Sequence, residues 1–137
     1  GEDLKPLAKI ASGGELSRII LALKAVLSKA DPVSTMVFDE VDTGVSGRAA
    51  QKIAEKLRKL SESKQIFVIT HLAQVAAFGN SHYRISKEEK NGKTFSKVEL
   101  LDREGRIYEL ARIMSGTKIT EAGLEAAKEL LEMADKA

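Results

Sequence analysis

Cysteine and tryptophan are absent from the chain, proline occurs only twice, and the aromatic complement is four Phe and two Tyr. Without cysteine there is no disulfide framework and no thiolate metal site, which is consistent with a reducing compartment. No apolar run approaches the roughly 20 residues that a bilayer-spanning helix needs. The opening Gly1-Glu-Asp-Leu-Lys5 also lacks the apolar core of a secretory leader. These features point to a cytoplasmic protein with no membrane partner. Charge is abundant but balanced, 22 basic against 20 acidic residues, and a net +2 is too small to argue for nucleic acid by itself. Internal repeats and low-complexity tracts are missing too. The chain has no initiator Met and opens almost directly on a motif, as a piece of something longer would. What is present is 137 residues with 43% hydrophobic character, enough for one modest domain with a real core. A single domain over residues 1–137 is expected, with the Ser115-Gly116-Thr117 break as the only candidate joint.

The chain is organised around Thr35-Met-Val-Phe-Asp-Glu-Val-Asp-Thr-Gly-Val-Ser-Gly47. A short apolar run bounded by polar residues predicts a strand over about 34–40, buried on both faces. It ends in Asp39 and Glu40, with Asp42 just beyond. Packing gives no reason for adjacent carboxylates there. In open α/β sheets ligands bind outside the carboxyl ends of the strands, so Asp39 and Glu40 stand where chemistry would be placed. A phosphate site with a metal needs one carboxylate for the cation and often a second for the attacking water. The segment therefore reads as a Walker B strand and its acidic loop; an acidic turn after a strand is the plain alternative.

Upstream, Ala11-Ser-Gly-Gly-Glu-Leu-Ser-Arg18 opens a helix whose apolar positions Leu16, Ile19, Ile20, Leu23, Val26 and Leu27 recur at helical spacing. A second flank of Leu21, Ala22 and Ala25 predicts burial on more than one side, to an end near Lys29. Glycines before a helix expose amides beside the positive end of its dipole, which suits an anion, and Ser12 adds a hydroxyl. Ser-Gly-Gly equally serves as an ordinary N-cap turn. Downstream, Ser46 or Gly47 starts an amphipathic helix to about Ser61, whose outer face carries Arg48, Lys52, Glu55, Lys56, Arg58 and Lys59, most simply a solvated surface. Gln65-Ile-Phe-Val-Ile-Thr70 is a second apolar strand, ending on His71. Strand, helix, strand with a short crossover implies parallel pairing. His71 is then expected on the same sheet edge as Asp39 and Glu40.

Leu72–Phe78 predicts a short helix, and Asn91-Gly92 between two alternating runs predicts a hairpin over about 81–101. His82 reads as an ordinary strand residue. A helix over about 107–114 comes next, and Thr120 is placed to cap a last one, with Leu124, Ala127, Leu131 and Ala134 on its apolar face.

The motifs Ala-Ser-Gly-Gly-Glu-Leu-Ser-Arg, Phe-Asp-Glu-Val-Asp-Thr-Gly-Val-Ser-Gly and Ile-Thr-His-Leu-Ala-Gln-Val-Ala, in that order, resemble the second half of an ABC-type ATPase head. Their wording is similar to the RecN family, SMC-like ATPases of bacterial DNA repair that act on chromosomes and broken DNA ends. The resemblance runs through to Glu-Leu-Ala-Arg-Ile-Met-Ser-Gly116. It implies an α/β fold, the C-terminal lobe of an ABC/SMC-type head with a mostly parallel sheet, flanking helices and a β-hairpin. It implies ATP and Mg²⁺ as cofactors and a nucleoid-associated protein. Ser12, Gly13, Gly14 and Glu15 would form the signature loop that meets the γ-phosphate held by the opposite subunit. Asp39 would hold Mg²⁺, Glu40 would be the general base, and His71 the γ-phosphate switch, with Gln74 one helical turn beyond. The acidic loop with Asp42, running from Val41 to Ser46, would meet its counterpart across a dimer.

There are departures from the transporter pattern. Ala11 and Glu15 hold the outer positions of the usual Leu-Ser-Gly-Gly-Gln, and Ser46 replaces the Asp that often closes the acidic loop. No Gly-x-x-x-x-Gly-Lys-[Ser/Thr] occurs anywhere, so the phosphate cradle and its Lys are missing, as are coiled-coil arms. The implied partners are an N-terminal lobe of the same head, a second head in an ATP-sandwiched homodimer, and DNA through the intact protein. Two other readings stay open: a non-catalytic module whose nucleotide-gated closure controls DNA or partner binding, and a fragment of an ABC transporter subunit.

Overall fold

A computed structural model describes residues 11–27, 30–90, 92–116 and 118–137. They fall into two compact units, one ending at Val75 and the other running from Ala76 to Ala137. The first contains helix α1 (Gly13–Leu27), strand β1 (Thr35–Phe38), helix α2 (Gly47–Ser61) and strand β2 (Gln65–Val68). The short helix α3 (Ala73–Ala76) lies at the sequence junction. The second contains strands β3 (Tyr83–Lys90) and β4 (Lys93–Leu100) and helices α4 (Arg103–Ser115) and α5 (Glu121–Asp135).

In the first unit β1 and β2 pair in parallel, Thr35 opposite Gln65 and Phe38 opposite Val68. Helix α2 makes the crossover and packs its small-residue stripe inward, with Ala50, Ala54, Leu57 and Leu60 buried. Met36 and Phe38 of β1, Leu21 of α1 and Val41 beyond β1 are also buried. Short Ala side chains on its buried face let the helix approach β2 closely.

Two burial expectations do not hold. The strands are covered on one face only: Val37 is 66% exposed, and Phe67 and Ile69 also remain open. A continuous apolar run encodes two covered faces, but α2 supplies only one. Helix α1 likewise buries only Gly14 and Leu21, leaving Ile20, Leu23, Val26 and Leu27 exposed, because among the described residues its contacts with α2 and the loop after β1 cover only part of its broad stripe. Strand β1 is also shorter than the expected 34–40. Its pairing stops at Phe38, because Glu40 turns into the left-handed region at φ 58°.

The second unit is an antiparallel hairpin, then two packed helices. Lys90 pairs with Lys93, and Gly92 between them takes the positive φ of +71° that a tight hairpin turn calls for. Asn91, the other half of that signal, lies outside the described residues, as do Lys29 and Thr117. Helix α4 starts one turn earlier than expected because Asp102 caps it, accepting from the Gly105 amide at 2.8 Å. Thr120 caps α5 as its spacing predicts, accepting from Gly123 N at 3.1 Å. Leu110 and Ala111 of α4 and Ala127, Leu131 and Ala134 of α5 are buried.

Candidate functional site

The parallel register fixes where the polar residues go. Phe38 and Val68 are partners, and Ile69 N donates to Phe38 O at 2.9 Å, so both strands deliver their succeeding residues to one sheet edge. Asp39 and Glu40 leave β1 there, and Thr70 and His71 leave β2 beside them. The expected juxtaposition of the two acids and the imidazole is therefore present within the first unit.

The loop from Asp39 to Thr43 is held from two sides. On one side stands α1. Ser17 Oγ donates to Asp39 O at 2.9 Å, and Arg18 Nη1 donates to Thr43 O at 2.7 Å and more weakly to Val41 O at 3.4 Å. Gly14 is buried against the loop, so closely that a Cβ there would lie 2.9 Å from Thr43 O and 3.0 Å from Glu40 O. A Cβ on Gly13 would lie 2.6 Å from Glu40 Oε2, so the first helical turn touches the Glu40 carboxylate. Glu40 itself is exposed, in a backbone conformation that costs a residue with a side chain about 1–2 kcal/mol. It persists because its neighbours on both sides are pinned to α1.

On the other side stands β2. Asp42 is 1% exposed, and its Oδ2 accepts the Thr70 hydroxyl and the His71 amide, the latter at 3.3 Å. His71 Nδ1 faces the same oxygen at 3.7 Å, while the imidazole is 70% exposed. Thr70 Oγ1 in turn accepts from Leu72 N at 3.1 Å. Asp42 is expected from its motif among the ligand-contacting residues. Its carboxylate is buried and turned toward Thr70 and His71. Gln74 lies in α3 and is half-buried beyond the rim.

The start of α1 differs from a free loop of donors. Helix α1 begins at Gly13, so both glycines are in its first turn. Ser12 and Glu15 form a reciprocal capping box: Glu15 Oε2 accepts from Ser12 N at 2.8 Å and Ser12 Oγ at 2.9 Å, while Ser12 Oγ accepts from Glu15 N at 3.3 Å. The bonds from the Ser12 backbone, then from its hydroxyl, hold the Glu15 carboxyl below its ordinary range. Glu15 thereby acts as the internal anion of this helix end.

Asp39 is exposed at the strand end. Among the described residues no group of three or more acidic or histidine side chains forms a ready-made cation cage. A rim that presents the two carboxylates of Asp39 and Glu40 fits Mg²⁺, which keeps several waters and takes one or two carboxylates plus phosphate oxygens. It does not fit a cation held by protein ligands alone. Sequence reasoning misses Thr70, Ser17 and Arg18. Thr70 is marked only by adjacency to His71, and nothing in the pattern distinguishes the two helix residues as loop anchors. Among the described residues, no helix is long and apolar enough to cross a membrane.

No protein-family model matches the chain. It is 52% identical over 134 residues, 98% of its length, to the DNA repair protein RecN of Halalkalibacterium halodurans. Identity to RecN of Bacillus subtilis is 49% over 136 residues, and to RecN of Deinococcus radiodurans 49% over 131 residues. These matches take in 24%, 24% and 23% of the relatives, so the chain spans about a quarter of the length of the curated relatives it matches. A solved structure from work on ATP-driven dimerization and DNA-stimulated activation of SMC ATPases superposes with a TM-score of 0.57 at 25% identity. That superposition covers 86% of this chain and 70% of the other. By sequence the chain belongs to the RecN family, as the counterpart of about a quarter of those proteins, and it is built on the α/β fold of the SMC ATPases.

Proposed function

We propose that this chain is the C-terminal lobe of a RecN-type ATPase head, contributing Walker B acids, signature turn and switch histidine to a site completed by an N-terminal lobe. The observation that carries this reading is the shared rim: the parallel register brings Asp39, Glu40 and His71 to one sheet edge, with the first turn of α1 against Glu40. The exposed apolar surface of α1 and the open face of the two strands support a further lobe, since such a surface is what another layer of structure covers.

Each residue then has a part. Asp39, with phosphate oxygens and water, holds Mg²⁺, which when bound neutralises charge on the phosphates. Glu40, exposed and next to the helix amides, accepts a proton from the attacking water. His71 donates to the γ-phosphate from the rim. Ser12, Gly13 and Gly14 present amides and a hydroxyl to the nucleotide of a second head, and two heads close on two ATP molecules. The Glu15 carboxylate competes for the same donors, so an arriving phosphate displaces an internal anion rather than filling an empty seat. DNA repair belongs to the intact protein, with the ATP-bound head pair as its closed state and hydrolysis as its release.

The test is Glu40→Gln in the complete head. The amide cannot accept a proton, so ATP binding should persist while turnover drops on the order of 10² to 10⁴-fold. Turnover equal to wild type would remove Glu40 from the mechanism. Single-turnover hydrolysis in the wild-type head separates this reading from that of a nucleotide-gated clamp without chemistry.

A further inference from the structure

Resting on that ATPase reading, we propose that Asp42 is the positioning residue of His71: a buried carboxylate that ties the end of β2 to the acidic loop and turns the imidazole to face outward from a fixed point. A carboxylate at 1% exposure is expensive to bury unless its interactions require it there. Asp42 is not close-packed filler, since its neighbour Val41 already fills the core beneath the loop at 0% exposure. It also stands apart from the exposed acids Asp39 and Glu40, which point to the rim.

The partners of Asp42 define its work. All of them lie at the end of β2: the Thr70 hydroxyl, the His71 backbone amide at 3.3 Å and the His71 ring edge at 3.7 Å. The amide bond fixes the Cα of His71, and the facing carboxylate sets which edge of the ring turns inward. At 3.7 Å the ring contact is electrostatic attraction rather than a hydrogen bond. Because Nδ1 faces Asp42, Nε2 lies across the ring on the solvent side, the side from which a phosphate would approach. Thr70 holds the arrangement from below, donating to Asp42 and accepting from Leu72 N. The same loop is anchored to α1 through Arg18 and Ser17. Asp42 thus holds the histidine against a loop that α1 anchors, and acts on the site through the ring.

The experiment is a double-mutant cycle in the complete head, reading kcat and KM for ATP. Asp42→Ala should lower kcat on the order of 10²-fold, the scale of an ångström-level misplacement, with a much smaller change in KM. Asp42→Asn keeps an acceptor oxygen for the Thr70 hydroxyl and the His71 amide and should recover most of the loss. Combined with His71→Ala, Asp42→Ala should add nothing further, because its effect is exerted through the ring that is already gone. Should Asp42→Ala fail to fold, Thr70→Val runs the same cycle with the same expected non-additivity. Multiplying defects in the double variant, or wild-type kcat in both Asp42→Ala and Thr70→Val, would overturn the proposal. Glu40→Gln is measured in parallel: its inactivity alongside multiplying defects sinks the role of Asp42 alone. Absence of ATP turnover in the wild-type head itself instead sinks the ATPase reading and this proposal with it.

Discussion

At the residue scale, what decides the candidate site is which carboxylates are spent inside the protein and which face out. Asp39 and Glu40 are presented, Asp42 is consumed by Thr70 and His71, and Glu15 is consumed by Ser12. The first pair is visible in the sequence, because adjacent acids at the end of an apolar run have no packing purpose. The fates of the other two are not visible in the same way. Ser12-x-x-Glu15 has the spacing of a capping box, but the neighbouring glycines point to phosphate instead. Asp42 carries no local mark of burial, since its partners lie 28 and 29 residues away. The Glu15 box has a consequence for pH. Its carboxyl is held below the ordinary value of 4.5 because the ionised form accepts two bonds from Ser12. The folded state therefore binds fewer protons than the unfolded one, and the stabilisation is fully present above pH 4.5 and lost as pH falls through the lowered value. Thermal melts from about pH 6 downward should show a decline below about pH 4.5 that Glu15→Gln, which caps without titrating, makes shallower. Parallel melting curves for the two proteins would rule this out.

At the element scale, hydrophobic period and turn chemistry locate most of the structure. The strand–helix–strand unit, the hairpin around Asn91-Gly92 and the Thr120 cap are all legible, because each depends on residues close in sequence. The apolar pattern overextends β1, because it carries no sign that Glu40 swings left-handed. It also shortens α4, because the start of that helix is set by the Asp102 cap rather than by apolar period. The contact between α1 and the acidic loop makes the two glycines of the first α1 turn unequal. A Cβ on Gly14 meets the loop backbone, and such overpacking costs about 1–3 kcal/mol, more than the roughly 1 kcal/mol that Gly→Ala returns in a helix. A Cβ on Gly13 meets only the tip of the Glu40 side chain, which can swing away. Gly14→Ala should therefore lower the melting temperature, while Gly13→Ala should leave it unchanged or higher and instead depress turnover in the complete head. Calorimetry and steady-state ATPase assays on both variants distinguish the two; equal loss of stability would refute the asymmetry.

At the scale of the whole molecule, the chain resembles a cut surface as much as a finished one. Val26 is 82% exposed, and Leu23, Leu27, Val37, Phe67 and Ile69 are open as well. Apolar runs that encode burial on every side suit the complete head of the proposed function better than the part in hand. Under that function the 137-residue chain alone should show negligible ATPase activity, since it contains no phosphate cradle with a Lys. Val26→Glu should change its own stability by no more than about 0.5 kcal/mol, as a surface substitution does, yet abolish reconstitution with an N-terminal lobe. Robust hydrolysis by the unassisted chain would contradict the first expectation, and undiminished reconstitution the second. The left-handed backbone at Glu40 has a consequence of another kind. Glycine would be at ease there, so Glu40→Gly should raise the melting temperature by the equivalent of roughly 0.5–1 kcal/mol even as it silences hydrolysis. Under the proposed function, a search for thermostable variants would be drawn to this one position and would return a sturdier protein that no longer fires, with durability and turnover pulling a single residue in opposite directions.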